Sequence, residues 1–455
     1  MKIESVRKQY RWIILLISFV LVTVFSTSSF LYPFNGWVDV NTIFTVGKSI
    51  FHGFVPYRDL IDQKGFILYL IFGLASLVSY TSLTGLYLIE IISCYFFLFL
   101  SYKIMLLFDN RQCLFLLPVM GLIIYGSYCF CLGGSAEELC LPMLSLQLYI
   151  CLKALVQNRS LTKSEAFVLG ISFSYIFWIK YTMVGLFIGL AFYYVWFSVK
   201  RRYFNSLWKV VLFFIIGLIP ITSIVLIYFV ANHALDDMFN VYIYQNIFQY
   251  HSPGKSLGFL NALISNGVSI KSYVIMNPLY SLLLLLSLYF IIRRCKLNVR
   301  SLLIISLICL HFFIFIGIYQ TYYPLALAVF LPFGLLEIGR IVGKYSFQWG
   351  LVLKKEVYIT FLSLFSVLIF FTSWNTGNIL KSKSECVQYD IKDKIHSYQQ
   401  GTFTLLEYNM MDAGFYTVCG VIPTIRYFAM LNLNPNKILA EQTSLLLSGG
   451  VGLHL

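Results

Sequence analysis

Apolar runs of about twenty residues recur along this chain between short polar segments, and they restrict its fold more than any other feature. A helix needs about 20 residues to cross the hydrocarbon layer of a bilayer, where only helices and closed barrels satisfy their own backbone. Runs of this kind occupy 11–31, 83–106, 112–131, 139–156, 209–231, 274–292, 301–318, 322–341 and 355–373. The stretch 165–199 is too long for one pass and divides near Lys180 into 165–179 and 183–199, which brings the expected crossings to eleven. Charged residues make up 11% of the chain, against about 25% in soluble domains. The expected fold class is therefore an all-α polytopic membrane protein.

One apolar run does not fit. Residues 66–80, FILYLIFGLASLVSY, would reach only about 22 Å as a helix, short of a hydrocarbon core about 30 Å thick. Charge reads the same way. With the N-terminus inside and 66–80 not crossing, Lys2, Arg7, Lys8 and Arg11 share the cytoplasmic side with Lys103, Arg111, Lys153, Arg159 and Lys163. The clusters at 200–209, 293–300 and 340–355 join them, so that 21 of the 33 basic residues lie inside, as the positive-inside rule requires. A crossing at 66–80 would exchange the sides of every later loop and erase that bias. The run is expected to dip into or lie along the outer leaflet, with the segment from 374 onward outside.

The formal net charge of +14 follows from this topology and does not indicate nucleic acid, because no basic stripe interleaves with stacking aromatics outside the apolar runs. The ten cysteines show no CxxC pair and no Cys/His metal spacing, although Cys386 and Cys419 share the tail and could pair there. The N-terminus lacks a small-residue cleavage site and reads as an uncleaved first helix.

The topology places seven acidic residues on the outer side, in loops 32–82, 132–138 and 232–273. Asp39, Asp59 and Asp62 lie in the first, Glu137 and Glu138 in the second, and Asp236 and Asp237 open the third. In the second loop, CLGGSAEELCLP, two glycines permit a tight turn, and two carboxylates stand where a helix N-terminus favours negative charge. Glu138 or Ser135 could equally be a plain helix cap. Arg58 and Asp59 could be a solvated pair, and Lys64 and Lys180 could be interfacial anchors.

The first loop continues into PYRDLIDQKGFILYL. An Asp soon after the first helix, followed by G-x-x-P-Y-R-D-L-x-D-x-K-G leading into an apolar helix, resembles the GT-C superfamily of membrane glycosyltransferases. It is similar to bacterial relatives of the protein mannosyltransferases and of the lipid A aminoarabinose transferase. GGSAEE resembles the acidic second loop of that group. One departure is Gly65, where many relatives carry Pro. The resemblance covers residues 1–200 well and the later helices by pattern only.

It implies a polyprenyl-phosphate sugar donor used from the outer face of a bacterial plasma membrane, a glycan or protein acceptor, and inversion at the anomeric carbon. An acceptor hydroxyl needs a carboxylate base, and Asp39 is assigned that role, with Glu137 or Glu138 orienting the acceptor. The leaving phosphate needs cations, for which Lys64, Lys180 and Arg58 are candidates. Tyr57, Asp59, Asp62 and His251 complete the expected substrate contacts. Members of the group differ in their need for a divalent metal, and no nucleotide-cradling glycine motif is present or needed.

Two alternatives remain at this point. A transporter or flippase of lipid-linked saccharides commonly shows internal repeats and charged midplane helices, neither of which is found here. An envelope-assembly protein without chemistry would tolerate changes at Asp39. Within the apolar runs, Glu90 is a candidate site by default but could hydrogen bond a neighbouring helix, and His311 reads as a packed helix–helix donor. The tail, 374–455, reads as a small extracytoplasmic α/β segment beside the transmembrane domain 1–373. It holds an amphipathic helix over 385–399 and a strand at TFTLLEY, and its apolar ending suggests a chain shortened relative to its relatives.

Overall fold

A computed structural model describes the chain except for Met1 and residues 109–112, 203, 250–258, 317–318, 349–354, 399–402, 432–434 and 448–455. In order, the helices are α1 (Lys2–Phe25), α2 (Val38–Ile50), α3 (Phe66–Ser76), α4 (Thr84–Met105), α5 (Cys113–Tyr125) and α6 (Ala136–Val156). They continue as α7 (Lys163–Phe177), α8 (Gly185–Lys200), α9 (Phe204–Ala231), α10 (Leu235–Met238), α11 (Phe259–Met276) and α12 (Pro278–Arg294). The last are α13 (Leu297–Ile314), α14 (Leu331–Gln348), α15 (Lys355–Thr372), α16 (Val387–Tyr398), α17 (Phe415–Cys419) and α18 (Pro435–Leu447).

Among the described residues, six helical stretches are long and apolar enough to cross a bilayer: Thr84–Met105, Ala136–Val156, Tyr181–Lys200, Ser206–Ala231, Leu297–Ile314 and Tyr323–Gly343. Each matches one expected crossing. The run at 274–292 is instead a bent pair, Asn266–Met276 and Pro278–Arg294, with an angle of 118° at the break. Pro278 supplies no backbone N–H to continue the preceding helix. The runs at 11–31, 112–131 and 355–373 hold shorter apolar helices, Tyr10–Phe25, Cys113–Tyr125 and Glu356–Thr372. Residues 165–179 form the 15-residue α7. The outward faces are apolar: Trp208, Ile215, Ile219 and Ile227 of α9 are all exposed, as lipid-facing side chains are. Ser145, Gln147, Ser287 and Ser306 are buried inside.

The doubtful run 66–80 forms α3, whose 11 residues reach only about 16 Å. It packs along α2, a helix absent from the sequence reading. The two approach so closely at Gly47 and Gly73 that a Cβ on Gly47 would lie 2.6 Å from the Tyr69 carbonyl oxygen. Only glycine permits that contact.

The tail is helical and irregular. Residues 387–398 form the expected amphipathic helix, but no strand occurs among the described residues, and Phe403–Leu406 run without ladder partners. The expected α/β character is therefore not found. Cys386 and Cys419 are both free thiols, so the possible disulfide is not formed.

Candidate active site

The site gathers at one end of the bundle, where α1, α7 and α9 end and α4, α6 and α8 begin. Asp39 stands in the first turn of α2, where the helix N-terminus favours an anion. Asn41 fixes the start of that helix by donating to the carbonyls of Asn35 (2.9 Å) and Trp37 (3.0 Å).

Lys64 is held through its backbone. The Tyr57 hydroxyl donates to the Lys64 carbonyl at 2.6 Å, and the Lys64 N–H donates to the Tyr69 hydroxyl at 2.8 Å. Tyr69 in turn donates to Asp62 Oδ2 at 2.8 Å. Asn246, on a π-helical stretch over Phe239–Gln249, donates to the Gln63 carbonyl at 2.8 Å. The next residue ties the two cationic loops together. Gly65 N–H donates to the Ile179 carbonyl at 3.2 Å, and a Cβ at Gly65 would lie 2.1 Å from the Trp178 carbonyl oxygen. Proline could not make this bond, which gives a physical reason for the departure from the family pattern.

Lys64 Nζ lies 3.5 Å from Asp39 Oδ2, and the Tyr322 hydroxyl donates to the same oxygen at 2.7 Å. Burial alone would raise the Asp39 carboxyl, but Lys64, Tyr322 and Lys180 outweigh it and hold it below its ordinary value. Lys180 pairs with the buried carboxylate of Glu137, and its ammonium stands 3.8 Å from the centre of the Tyr323 ring. Burial, with repulsion from Lys64, keeps Lys180 below the usual lysine range despite Glu137. One Glu137 oxygen, Oε2, is buried and has no hydrogen-bond partner.

Asp39, Lys64 and Tyr322 line a cavity of about 300 Å³ together with Asp62, Gln63 and Gln320, with Met411, Met430 and Leu431 of the tail on its wall; Lys180 and Glu137 stand behind Tyr322 and are not part of the lining. Asp62 is pushed up by burial, although Lys64 and Tyr69 oppose this. The cavity thus holds one carboxyl stabilised as the anion and one destabilised.

Several expected site residues go elsewhere. Glu138 turns from the cavity: its Oε2 accepts from Gly134 N–H at 2.9 Å, and its own N–H donates to Ser135 Oγ at 3.0 Å, the helix-cap alternative. Behind it lies Glu90, which accepts from Ser26 Oγ at 2.9 Å at the end of the neighbouring helix. Arg58 and Asp59 form a two-pronged pair, both contacts 2.8 Å, and Arg58 also donates to the Asn232 carbonyl. Neither lines the cavity. Tyr57 is buried in the left-handed region (φ 72°), stacked near Phe229, so it positions Lys64 from behind. His311 bonds Asn266 at 3.0 Å, as a packed helix–helix partner does. His251 lies outside the described residues. Among the described residues, no group of three or more His, Cys, Asp or Glu side chains could hold a metal ion.

Sequence reasoning missed Tyr322, Gln320 and the methionine wall. The signal available was YQTYYP, a cluster of polar aromatics at the mouth of an apolar run.

No protein-family model matches the sequence, and no curated protein matches it either. Among solved structures, ArnT from Cupriavidus metallidurans bound to undecaprenyl phosphate is similar at a TM-score of 0.60 and 12% identity, covering 97% of this chain and 88% of that one. At that identity the likeness is one of fold. This chain shares the helical fold of that structure over nearly its whole length.

Proposed function

We propose that this protein is a membrane glycosyltransferase. It moves a sugar from a polyprenyl-phosphate donor to a glycan or protein acceptor of the cell envelope, on the outer face of a bacterial plasma membrane. The observation that carries this reading is the Asp39 carboxylate, which lines a cavity between Lys64 at 3.5 Å and the Tyr322 hydroxyl at 2.7 Å, with Lys180 beside them. The fold shared with a protein held in complex with undecaprenyl phosphate supports the donor class. The distribution of basic residues supports the outer face. Lys103, Lys153, Lys163, Lys200, Arg293 and Arg294 all lie at the helix ends opposite the site.

The chemistry then divides among this chain's residues. The acceptor oxygen attacks the anomeric carbon, its proton passes to Asp39, and the bond from that carbon to the phosphate oxygen breaks with its electrons left on the phosphate. Asp39 is ionised at neutral pH and ready to accept the proton. Lys64 and Lys180 offset the charge that grows on the leaving phosphate. The apolar helix α3 begins at Phe66, two residues after Lys64, which supports a donor phosphate presented from the leaflet. Glu137 holds Lys180 in place.

The test uses purified protein, a radiolabelled polyprenyl-phosphate sugar and candidate acceptors, with Asp39→Asn assayed in parallel. Transfer by the wild type that Asp39→Asn abolishes is the expected result. No transfer across a panel of donors would remove the enzyme reading, and equal transfer by the variant would remove Asp39 from the base role.

A further inference from the structure

A second cluster of buried charge lies behind Asp39 on the same helix, and the transfer chemistry does not use it. Asn41, Thr45 and Lys48 are spaced i, i+4, i+7 and share one face of α2. Each meets the tail. Thr417 Oγ1 donates to Asn41 Oδ1 at 3.4 Å, Thr45 Oγ1 donates to Asp412 Oδ2 at 2.6 Å, and Lys48 Nζ donates to the Tyr416 carbonyl at 2.7 Å. Lys48 and Asp412 are fully buried.

The tail loop that receives them is wound around its own carboxylates. Asp412 Oδ1 accepts from Gly414 N–H at 2.8 Å, and the buried Glu407 accepts from the N–H groups of Ala413 (2.7 Å) and Phe415 (3.2 Å). Gly414 has φ +94°, and a Cβ there would lie 2.1 Å from the Phe34 ring, so the loop fits against the first loop only with glycine. Burial pushes Glu407 up to about 9, with Asp412 adding repulsion, so one proton stays in the cluster near neutral pH.

Met411 precedes Asp412 directly and lines the cavity. Met430, on the same wall, donates its N–H to the Met410 carbonyl at 2.9 Å. The contacts that bind the tail to α2 therefore also set the wall facing Asp39.

We propose that Lys48 and Asp412 are positioning residues, which latch the tail onto α2 and so fix both the approach of Asp39 to Lys64 and Tyr322 and the Met411–Met430 wall of the site. This rests on the transferase reading of that site. The latch carries no transfer chemistry itself. It determines where the base stands, through a helix whose far end is bound by a segment more than 360 residues downstream.

The full-length protein in detergent tests this with Lys48→Met, the isosteric Asp412→Asn, and the double variant. Two measurements are made: hydrogen exchange of peptides from 38–50 and 405–431, and the pH profile of kcat/KM. Lys48→Met is expected to raise exchange in both peptides by tenfold or more. It should also move the acid limb of the profile to higher pH, because Asp39 loses the contacts that keep it ionised. Asp412→Asn, which preserves shape, should do the same more weakly. The double variant, with no unpaired buried charge, should recover part of both effects. Loosening of 405–431 with 38–50 unchanged would overturn the proposal, as would an acid limb that stays at its wild-type position in both single variants. If the wild type proves inactive with every donor, the transferase reading fails, while the exchange measurements still decide the latch.

Discussion

The Gly65 N–H donates to the Ile179 carbonyl, and this bond, with that from Ile67 N–H to the Trp178 carbonyl at 3.1 Å, brings two cations from separate loops to the same place. Lys64 and Lys180 each lie one residue from it. The contact leaves no room for a side chain, since a Cβ at Gly65 would sit 2.1 Å from the Trp178 carbonyl oxygen. Gly65→Ala is expected to part the two loops and reduce transfer at least tenfold, with the protein still folded by its detergent melting curve. Gly65→Pro, which also removes the donor, should be worse. Activity normalised to folded protein checks both.

Tyr322→Phe removes the 2.7 Å hydrogen bond that helps hold Asp39 ionised. The folded carboxyl then titrates at higher pH, so the acid limb of the kcat/KM profile should move upward. A net contribution of about 0.5–1.5 kcal/mol corresponds to about half to one pH unit. A profile identical to wild type would show that Tyr322 does not act on Asp39.

Asp59→Ala should separate stability from chemistry. Asp59 pairs with Arg58 and accepts from Val55 N–H at 2.7 Å, outside the cavity. Its side chain is 28% exposed, so the expected loss is only about 1 kcal/mol. The melting temperature should fall slightly while KM for the donor stays at the wild-type value. A large rise in donor KM would return Arg58 and Asp59 to the binding machinery.

Glu407 predicts a pH-dependent stability difference. Its folded value of about 9 lies above the ordinary value of 4.5. The folded state therefore binds the extra proton between these limits, and stability falls as pH rises through this window. Glu407→Gln carries no such proton. Its melting temperature relative to wild type should rise with pH between about 5 and 9, with a free-energy slope of up to about 1.4 kcal/mol per pH unit. A difference that stays flat would mean Glu407 is ionised in the folded protein.

The parts of this protein legible in the sequence are those set by sums over neighbouring residues. Six of the expected crossings recur as long apolar helices, because about twenty apolar residues in a row have no other stable arrangement in lipid. The shortness of 66–80 was legible by length, and Ser135 as a cap by its place before Glu138. The lysines and carboxylates of the first two loops were legible as a group.

Their pairing was not. Nothing local in the chain tells Glu137 to meet Lys180 while its neighbour Glu138 turns toward Glu90 and Ser26; adjacent residues on a helix point about 100° apart, so packing sends them to different sites. Helix α2 escaped notice because its 13 residues are too few to cross a bilayer and carry Asp39, Asn41 and Lys48, so the segment reads as part of a polar outer loop. Tyr322 reaches Asp39 across 283 positions, and the tail reaches Thr45 and Lys48 across more than 360. By itself the sequence determined that the chain is a bundle of apolar helices with a group of lysines and carboxylates in its first polar loops. Only the tertiary structure decided which carboxylate stands as an anion between cations, because that depends on how closely Gly47 and Gly65 let separate segments approach.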